Sequence, residues 1–223
     1  MLSLFRRYRY FLLAMLVLSA IILGLFYNAL KPTPKLPIYQ PAMVHHELVD
    51  STLQHVKKYH SIAPFALLNQ NGDTVTLRTY ENKIYIADFF FTTCPTICPT
   101  MTRNMAKIQE VIKDDPSVML LSHTVTPEID SVAVLKQYAL KNGVIDHKWN
   151  LVTGDKKQLY DLARKSYLVV KDDGFGNPYD MIHTENFVLV DQRNRIRGYY
   201  DGTNDEEIKK LLADLHILKA ESN

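Results

Sequence analysis

Between Tyr10 and Tyr27 the chain carries no charged residue, and only Ser19 and Gly24 interrupt its bulky apolar side chains. At a rise of about 1.5 Å per residue, a helix of this length spans roughly 27 Å, which is close to the hydrocarbon thickness of a bilayer. The sequence therefore predicts a transmembrane helix, with residues 10–30 as the anchor.

Basic residues flank this run and indicate its orientation. Lys31 and Lys35 follow it, whereas three arginines precede it with no acidic residue nearby: Arg6, Arg7 and Arg9. The positive-inside rule then places residues 1–9 in the cytoplasm. A cleaved signal peptide is the alternative, but its apolar core is shorter, and the nearest cleavage site here would put the bulky Tyr27 where a small residue is required. We predict an uncleaved anchor with the following residues in a bacterial periplasm or an equivalent compartment.

Four prolines follow the anchor within ten residues, at positions 32, 34, 37 and 41. Such spacing favours extended, polyproline-like chain over packed structure. We predict a stiff spacer over residues 31–43 and a single folded domain over residues 44–223.

The predicted domain alternates strand-like and helix-like patterns. Short apolar runs rich in β-branched and aromatic residues predict strands, and apolar residues at three- and four-residue steps predict helices. This alternation predicts an α/β domain with a parallel or mixed sheet covered on both faces. The predicted strands are 65–68, 74–77, 84–91, 118–121, 149–152, 186–190 and 195–200. The predicted helices carry Met101 to Ile112, Val132 to Ala139, Leu159 to Ala163 and Ile208 to Leu215. The last three follow, in that order, an N-cap at Ser131, an N-cap at Asp155 and a capping box of Thr203 and Glu206.

Charge and cysteine content exclude several classes of protein. A formal net charge of +2 argues against a generally basic nucleic-acid-binding protein. Two cysteines cannot form a disulfide-dense scaffold or a four-cysteine zinc or iron–sulfur site. Any thiol chemistry must therefore use this single pair.

Both cysteines lie in one short segment between a predicted strand and a predicted helix. Cys94 and Cys98 are one helical turn apart, so their sulfur atoms can face the same side if Cys98 lies in the first turn. The amino end of a helix stabilises a thiolate, and two thiolates favour Cu(I), with zinc as a competitor. The pair therefore predicts a reactive or metal-binding site at the carboxyl edge of the sheet.

Two sulfur atoms seldom complete a metal site, so a histidine is the natural third ligand. His183 precedes a predicted strand, but position alone leaves it open between a ligand and a solvent-exposed loop residue. His123 ends a predicted buried strand and is better explained as a hydrogen-bonded residue at the core edge. Asp88 fits either a buried carboxylate that tunes the thiols or an exposed one. Four histidines fit a solvated face better than a weak secondary metal site: His45, His46, His55 and His60.

Several motifs together resemble the Sco/SenC family. They are DFFFTTCPTICP at residues 88–99, NQNG at 69–72, SHTVTPEID at 122–130, and His183-Thr184, and the similarity covers roughly residues 60 to 215. The resemblance implies a thioredoxin-like fold and copper ligation by Cys94, Cys98 and His183. The family often has aspartate where this chain has Thr126 and Ile182. Asp130 matches the family's second acidic position in that loop, as a candidate for partner contact or site tuning.

The function that this resemblance implies is that of a membrane-tethered copper chaperone. It would bind copper as Cu(I), with Cu(II) as an alternative, and deliver it for assembly of the binuclear copper centre of cytochrome c oxidase. The implied partners are the membrane and the copper-bearing oxidase subunit or its assembly factors, with no nucleic acid. The implied location is the bacterial inner membrane, with one transmembrane pass and a periplasmic domain.

Two other functions stay open at this stage. A thiol–disulfide reductase without metal would use Cys94 as the attacking thiolate and Cys98 as the resolving thiol, although redox pairs usually have two intervening residues instead of three. A structural zinc clip would need a fourth ligand, and none stands out.

Overall fold

A computed structural model describes residues 2–30, 34–50, 52–170 and 184–222 of the chain. These residues form two compact units, Met1–Lys35 and Leu36–Asn223. The first unit is a single helix, α1, over Leu2–Leu30. Its segment Tyr8–Tyr27 has a mean hydropathy of 2.4 and is long and apolar enough to cross a membrane, a property that signal sequences share. The predicted helix is therefore present, and its role as an anchor stays a prediction.

The second unit is built on a seven-stranded mixed sheet with the order β2-β1-β5-β4-β3-β6-β7. β3 pairs in parallel with β4, and β4 pairs in parallel with β5, whereas the other pairs are antiparallel. The strands are β1 (Ala66–Asn69), β2 (Thr74–Thr76), β3 (Ile84–Phe90), β4 (Val118–Thr124), β5 (Trp149–Thr153), β6 (Asn186–Val190) and β7 (Ile196–Asp201). The α/β prediction with a mixed sheet is thus confirmed.

The central strands β3 and β4 are buried along their whole length. Strands covered on both faces need no polar alternation, which explains why their sequences read as continuous apolar runs. The first hairpin, β1–β2, turns at Gly72, whose φ of +83° is accessible to glycine without strain. Gly143 has a φ of +68°, which glycine also adopts without strain.

Four helices follow β3, β4, β5 and β7. They are α2 (Cys98–Ile112), α3 (Val132–Lys141), α4 (Lys156–Asp161), which continues into a π-helical turn over Leu162–Ser166, and α5 (Asp205–Ser222). Ser131 and Asp155 cap α3 and α4 as predicted, because their side chains accept from the N–H groups of Val134 and Gln158.

The predicted capping box at α5 is wrong in one detail. The residue that caps this helix is Asn204, whose side-chain oxygen accepts from the N–H of Glu206 at 2.9 Å. Thr203 lies one residue outside the cap, and its hydroxyl donates to Asp201 at 2.6 Å. The carboxylate of Asp201 competes for the threonine, so the helix begins one residue later than the sequence pattern indicates.

Arg197 on β7 holds the amino-terminal end of the domain. This side chain is 4% exposed and donates to the carbonyl oxygens of Leu36 at 2.7 Å and Pro37 at 2.9 Å. It also contacts the carboxylates of Asp191 at 3.2 Å and Glu221 at 2.5 Å. Packing against the domain therefore starts at Leu36, within the stretch where the sequence predicts a free spacer.

Candidate metal centre

Cys94 and Cys98 lie where β3 gives way to α2. β3 ends at Phe90 and α2 begins at Cys98, so a seven-residue loop carries the first cysteine and the first helical turn carries the second. Because β3 is parallel to β4 and β5, this loop lies at the carboxyl edge of the parallel strands. The structure thus places both thiols at the predicted edge of the sheet.

The two cysteines are not joined by a disulfide and are largely buried. The exposed fraction is 8% for Cys94 and 4% for Cys98. The N–H of Cys94 donates to the carbonyl oxygen of Phe91 at 3.3 Å, and its Sγ lies 3.6 Å from the hydroxyl of Thr96. The loop therefore turns back on the end of β3 and holds the first sulfur beside the amino end of α2.

The pKa values of the two thiols move in opposite directions. Burial raises the pKa of Cys94, but hydrogen bonds from the backbone of Cys98 and Thr96 and from their side chains outweigh burial and lower this pKa to about 7. Burial raises the pKa of Cys98 to about 12, against the opposing hydrogen bond from the backbone of Phe91. Cys94 is therefore the thiol that ionises near neutral pH.

Asp130 lies behind the cysteine loop and is completely buried. Its carboxylate accepts from the N–H and the hydroxyl of Thr92, at 3.2 and 2.5 Å, and from the hydroxyls of Thr124 at 2.5 Å and Thr126 at 3.1 Å. The candidate role of Asp130 in partner contact is thus wrong, because burial keeps its side chain from a partner. Thr92 and Thr124 lie in the motifs at residues 88–99 and 122–130, but the sequence does not indicate that their hydroxyls donate to Asp130.

Of the two alternatives predicted for Asp88, a buried or an exposed carboxylate, the structure shows the buried one. It is 2% exposed, and burial raises the pKa of its carboxyl to about 7 although a hydrogen bond with Ser122 acts in the other direction. Cys98 and Asp88 interact unfavourably when both are ionised, which contributes to the raised pKa of the thiol. The carboxyl of Asp88 therefore belongs to the electrostatic environment of the cysteine pair.

His123 is a core residue, more deeply placed than the sequence predicts. It is fully buried and stacks on Phe89 with ring centroids 4.7 Å apart, while its Nδ1 lies 3.3 Å from the carbonyl oxygen of Asp88. Burial lowers its pKa to about 4, so the ring is neutral at physiological pH. Among the described residues, its Nε2 has no hydrogen-bond partner.

The third predicted ligand, His183, lies outside the described residues, as does Ile182. Within the described part of the chain, no group of three His, Cys, Asp or Glu side chains is arranged to hold a metal ion. His60 in the lead-in contacts the carbonyl oxygen of Ser166 at 2.8 Å, and the rings of His45 and His46 lie 4.6 Å apart. The cysteine pair therefore supplies two soft donors, which suit Cu(I), and needs a ligand from elsewhere.

The sequence model of the family described as SCO1/SenC matches residues 54–218. The chain belongs to the SCO1/SenC family. An SCO1 protein homolog from Bacillus subtilis (strain 168) is 30% identical over 160 residues, which are 70% of this chain and 81% of the homolog.

Solved structures of Sco proteins share the fold. BsSco, described as a member of the Sco family of cytochrome c oxidase assembly proteins and as containing a disulfide switch, is 28% identical, with a TM-score of 0.61 over 71% of this chain and 93% of its own. ScoI from Bradyrhizobium japonicum, solved with copper bound, is 26% identical, with a TM-score of 0.55 over 70% of this chain and 99% of its own. The thioredoxin-like fold implied by the sequence resemblance is thereby confirmed.

Proposed function

We propose that this protein is a membrane-anchored copper chaperone in which Cys94, Cys98 and His183 hold copper for delivery to the binuclear copper centre of cytochrome c oxidase. Copper is its cargo. The observation that carries the proposal is a free, largely buried cysteine pair at the start of α2 in a SCO1/SenC chain. The copper-bound ScoI of Bradyrhizobium japonicum supports the same assignment.

The chemistry of the pair suits binding and release of Cu(I). Thiolates are the ligands that this ion prefers, and they bind it only when deprotonated. Cys94, with a pKa of about 7, offers a thiolate at neutral pH, whereas Cys98 has to lose its proton to the solvent as copper binds. Neighbouring Pro95 and Thr96 are exposed, so ligands of an acceptor protein can approach the first sulfur and replace it by exchange.

The proposed location is the bacterial inner membrane, crossed once. In this proposal residues 1–9 are cytoplasmic, residues 10–30 form the anchor, and residues 31–223, which include the proline-rich segment 31–43 and the domain, lie in the periplasm. The acceptor is the copper-bearing oxidase subunit or one of its assembly factors. Both cysteines must be kept reduced there, because a disulfide would remove both sulfur ligands.

The proposal is tested by titrating the reduced full chain, in detergent, with Cu(I) against a competing chelator. We expect one Cu(I) per chain, and we expect His183→Ala to weaken the affinity by at least about tenfold, the scale of an altered ligand environment. His147→Ala is the matched control, since His147 is exposed and precedes β5, at the opposite edge of the sheet. Equal affinity in His183→Ala and the unmodified chain would exclude His183 as a ligand, and preferential uptake of Zn²⁺ would favour the zinc clip.

A thiol–disulfide oxidoreductase is the second candidate, and the opposite pKa shifts of the two thiols favour it. A low pKa suits the attacking Cys94, and a protonated Cys98 suits a resolving thiol that acts later. This function predicts disulfide reduction that needs both cysteines but is unaffected by His183→Ala. Rapid turnover of a disulfide substrate by a chain that takes up no Cu(I) would replace the chaperone proposal.

A further inference from the structure

The carboxylate of Asp130 joins two loops at the carboxyl edge of the sheet. One is the loop after β3 that carries Cys94, and the other connects β4 to α3. Asp130 is the last residue before the N-cap of α3, and the residues that donate to it come from both loops and from the end of β4. Asp130 therefore connects the cysteine loop to the end of β4 and to the loop that precedes α3.

Thr92 is the residue that makes this connection on the cysteine side. It lies two residues before Cys94, and it is held twice, through its backbone N–H at 3.2 Å and its hydroxyl at 2.5 Å. Two bonds to the two oxygens of one carboxylate fix both the backbone and the side chain of Thr92. The following turn, closed by the N–H of Cys94 and the carbonyl oxygen of Phe91, is then fixed in direction as well.

The carboxylate is also held by two threonines, Thr124 at the end of β4 and Thr126 in the β4–α3 connection. Their hydroxyls donate to the same oxygen, Oδ2, and the hydroxyl of Thr124 also accepts from the N–H of Thr126 at 3.0 Å. These groups form a connected network inside the protein, where each hydrogen bond is stronger than in water and an unpaired member is costly. Asp130 therefore has one strongly preferred position.

We infer that Asp130 is a positioning residue, which holds the cysteine loop through Thr92 so that the Cys94 sulfur meets the hydrogen-bond donors of Thr96 and Cys98 at the amino end of α2. This inference deepens the proposed function, on which its relevance to copper rests. It assigns to Asp130 an indirect role at the site, because the side chain contacts Thr92 and neither cysteine in the described network. Without this bond the loop would still connect β3 to α2, but the sulfur would lose its fixed donors.

The test is amide hydrogen exchange of residues 91–98, followed by mass spectrometry on the reduced full chain in detergent without metal, with the time at half exchange taken as the midpoint. We expect Asp130→Asn to shorten this midpoint by about tenfold, because the turn that the N–H of Cys94 closes on the carbonyl oxygen of Phe91 is no longer fixed through Thr92. Thr92→Val, which removes only the hydroxyl, should move it in the same direction by less. The double variant should move it no further than Asp130→Asn does, since both act through one contact.

Asp191→Asn is the matched control. Asp191 is 3% exposed and accepts from the N–H groups of Arg193 and Arg195 in the β6–β7 turn, so its loss also destabilises the domain. An unchanged midpoint in this variant, with a shift in Asp130→Asn, supports the inference. Equal shifts in both variants, or no shift in folded Asp130→Asn, would overturn it.

Two further measurements keep the outcome decisive. If Asp130→Asn does not fold, as judged by circular dichroism, an unchanged midpoint in Thr92→Val overturns the inference. Cu(I) competition on the same variants should show an affinity about tenfold lower for Asp130→Asn than for Asp191→Asn. Failure of the unmodified chain to bind Cu(I) would reject the proposed function alone, because the metal-free hydrogen exchange still reports the role of Asp130.

Discussion

Cys94 and Cys98 have the same side chain and are both largely buried, yet their thiols differ in acidity. The Cys94 sulfur faces hydrogen-bond donors at the amino end of α2, whereas burial dominates at Cys98, which also lies near the carboxyl of Asp88. Burial alone raises the pKa of any thiol, and only oriented donors can reverse that effect. The chemistry of the site therefore depends on the placement of a few hydrogen bonds more than on residue type.

Asp88 allows a prediction about stability and pH. The folded-state pKa of its carboxyl, about 7, exceeds its ordinary value of 3.8, so the folded chain keeps a proton that the unfolded chain releases. Stability is therefore lost as the pH rises from about 4 to about 7. We expect Asp88→Asn to gain stability relative to the unmodified chain over this range, by up to about 4 kcal/mol.

Denaturant unfolding at pH 4, 6 and 8 measures this difference. Val111→Ala, at an exposed position of α2 that carries no ionisable group, is the control and should give a nearly constant difference. A difference between Asp88→Asn and the unmodified chain that does not change with pH would show that Asp88 is ionised throughout the range in the folded protein.

At the scale of elements, α2 connects the core to the site. Its amino end carries Cys98, and the predicted apolar stripe of Met101, Met105, Ile108 and Ile112 is at most 2% exposed. The same stripe that identifies the helix in the sequence thus also sets its rotation about its axis. Because the first turn must follow that rotation, packing far from the site determines where the second sulfur points.

We expect Met105→Ala to destabilise the domain by about 2–5 kcal/mol, because it leaves a cavity beneath the middle of α2. Val111 lies on the same helix but is 60% exposed, so Val111→Ala should change stability by less than about 1 kcal/mol. The free energy of unfolding from chemical denaturation measures both. Similar losses in the two variants would mean that the stripe does not face the core as described.

Local patterns predict the elements well and their long-range connections poorly. The strands, the helix caps at Ser131 and Asp155, and the turn at Gly72 follow from neighbouring residues, and all of them are present in the fold. The cap at Asn204 could not be separated from one at Thr203, because the choice depends on the carboxylate of Asp201. The bonds between Thr92 and Asp130 span 38 residues and carry no periodic signal. The predicted ligand His183 rests on the family resemblance and stays a prediction.

For the molecule as a whole, the main departure from the sequence analysis is where the domain begins. Arg197 contacts the carbonyl oxygens of Leu36 and Pro37, 161 and 160 residues away, and the carboxylate of Glu221 near the end of α5. A proline-rich composition predicts extended chain, which is compatible with either a free spacer or a strip docked on a surface. The contacts of the buried Arg197 with Leu36 and Pro37, which the sequence does not reveal, identify the strip as docked.

A soluble chain starting at residue 34 should therefore be more stable than one starting at residue 44, by about 3 kcal/mol, because the shorter chain leaves the buried Arg197 without two of its acceptors. The truncation also removes the ring contact of Tyr39 with Tyr199, so the difference alone does not identify the cause. Introducing Arg197→Met into both chains identifies the cause. The substitution should lower the free energy of unfolding clearly less in the shorter chain, because part of the interaction is already lost there. Chemical denaturation of the four proteins gives the coupling free energy. A coupling near zero would mean that the segment from Leu36 to Met43 is held by its other contacts, such as the bond between the N–H of Tyr39 and the carbonyl oxygen of Ile196, and that Arg197 serves only the carboxylates of Asp191 and Glu221.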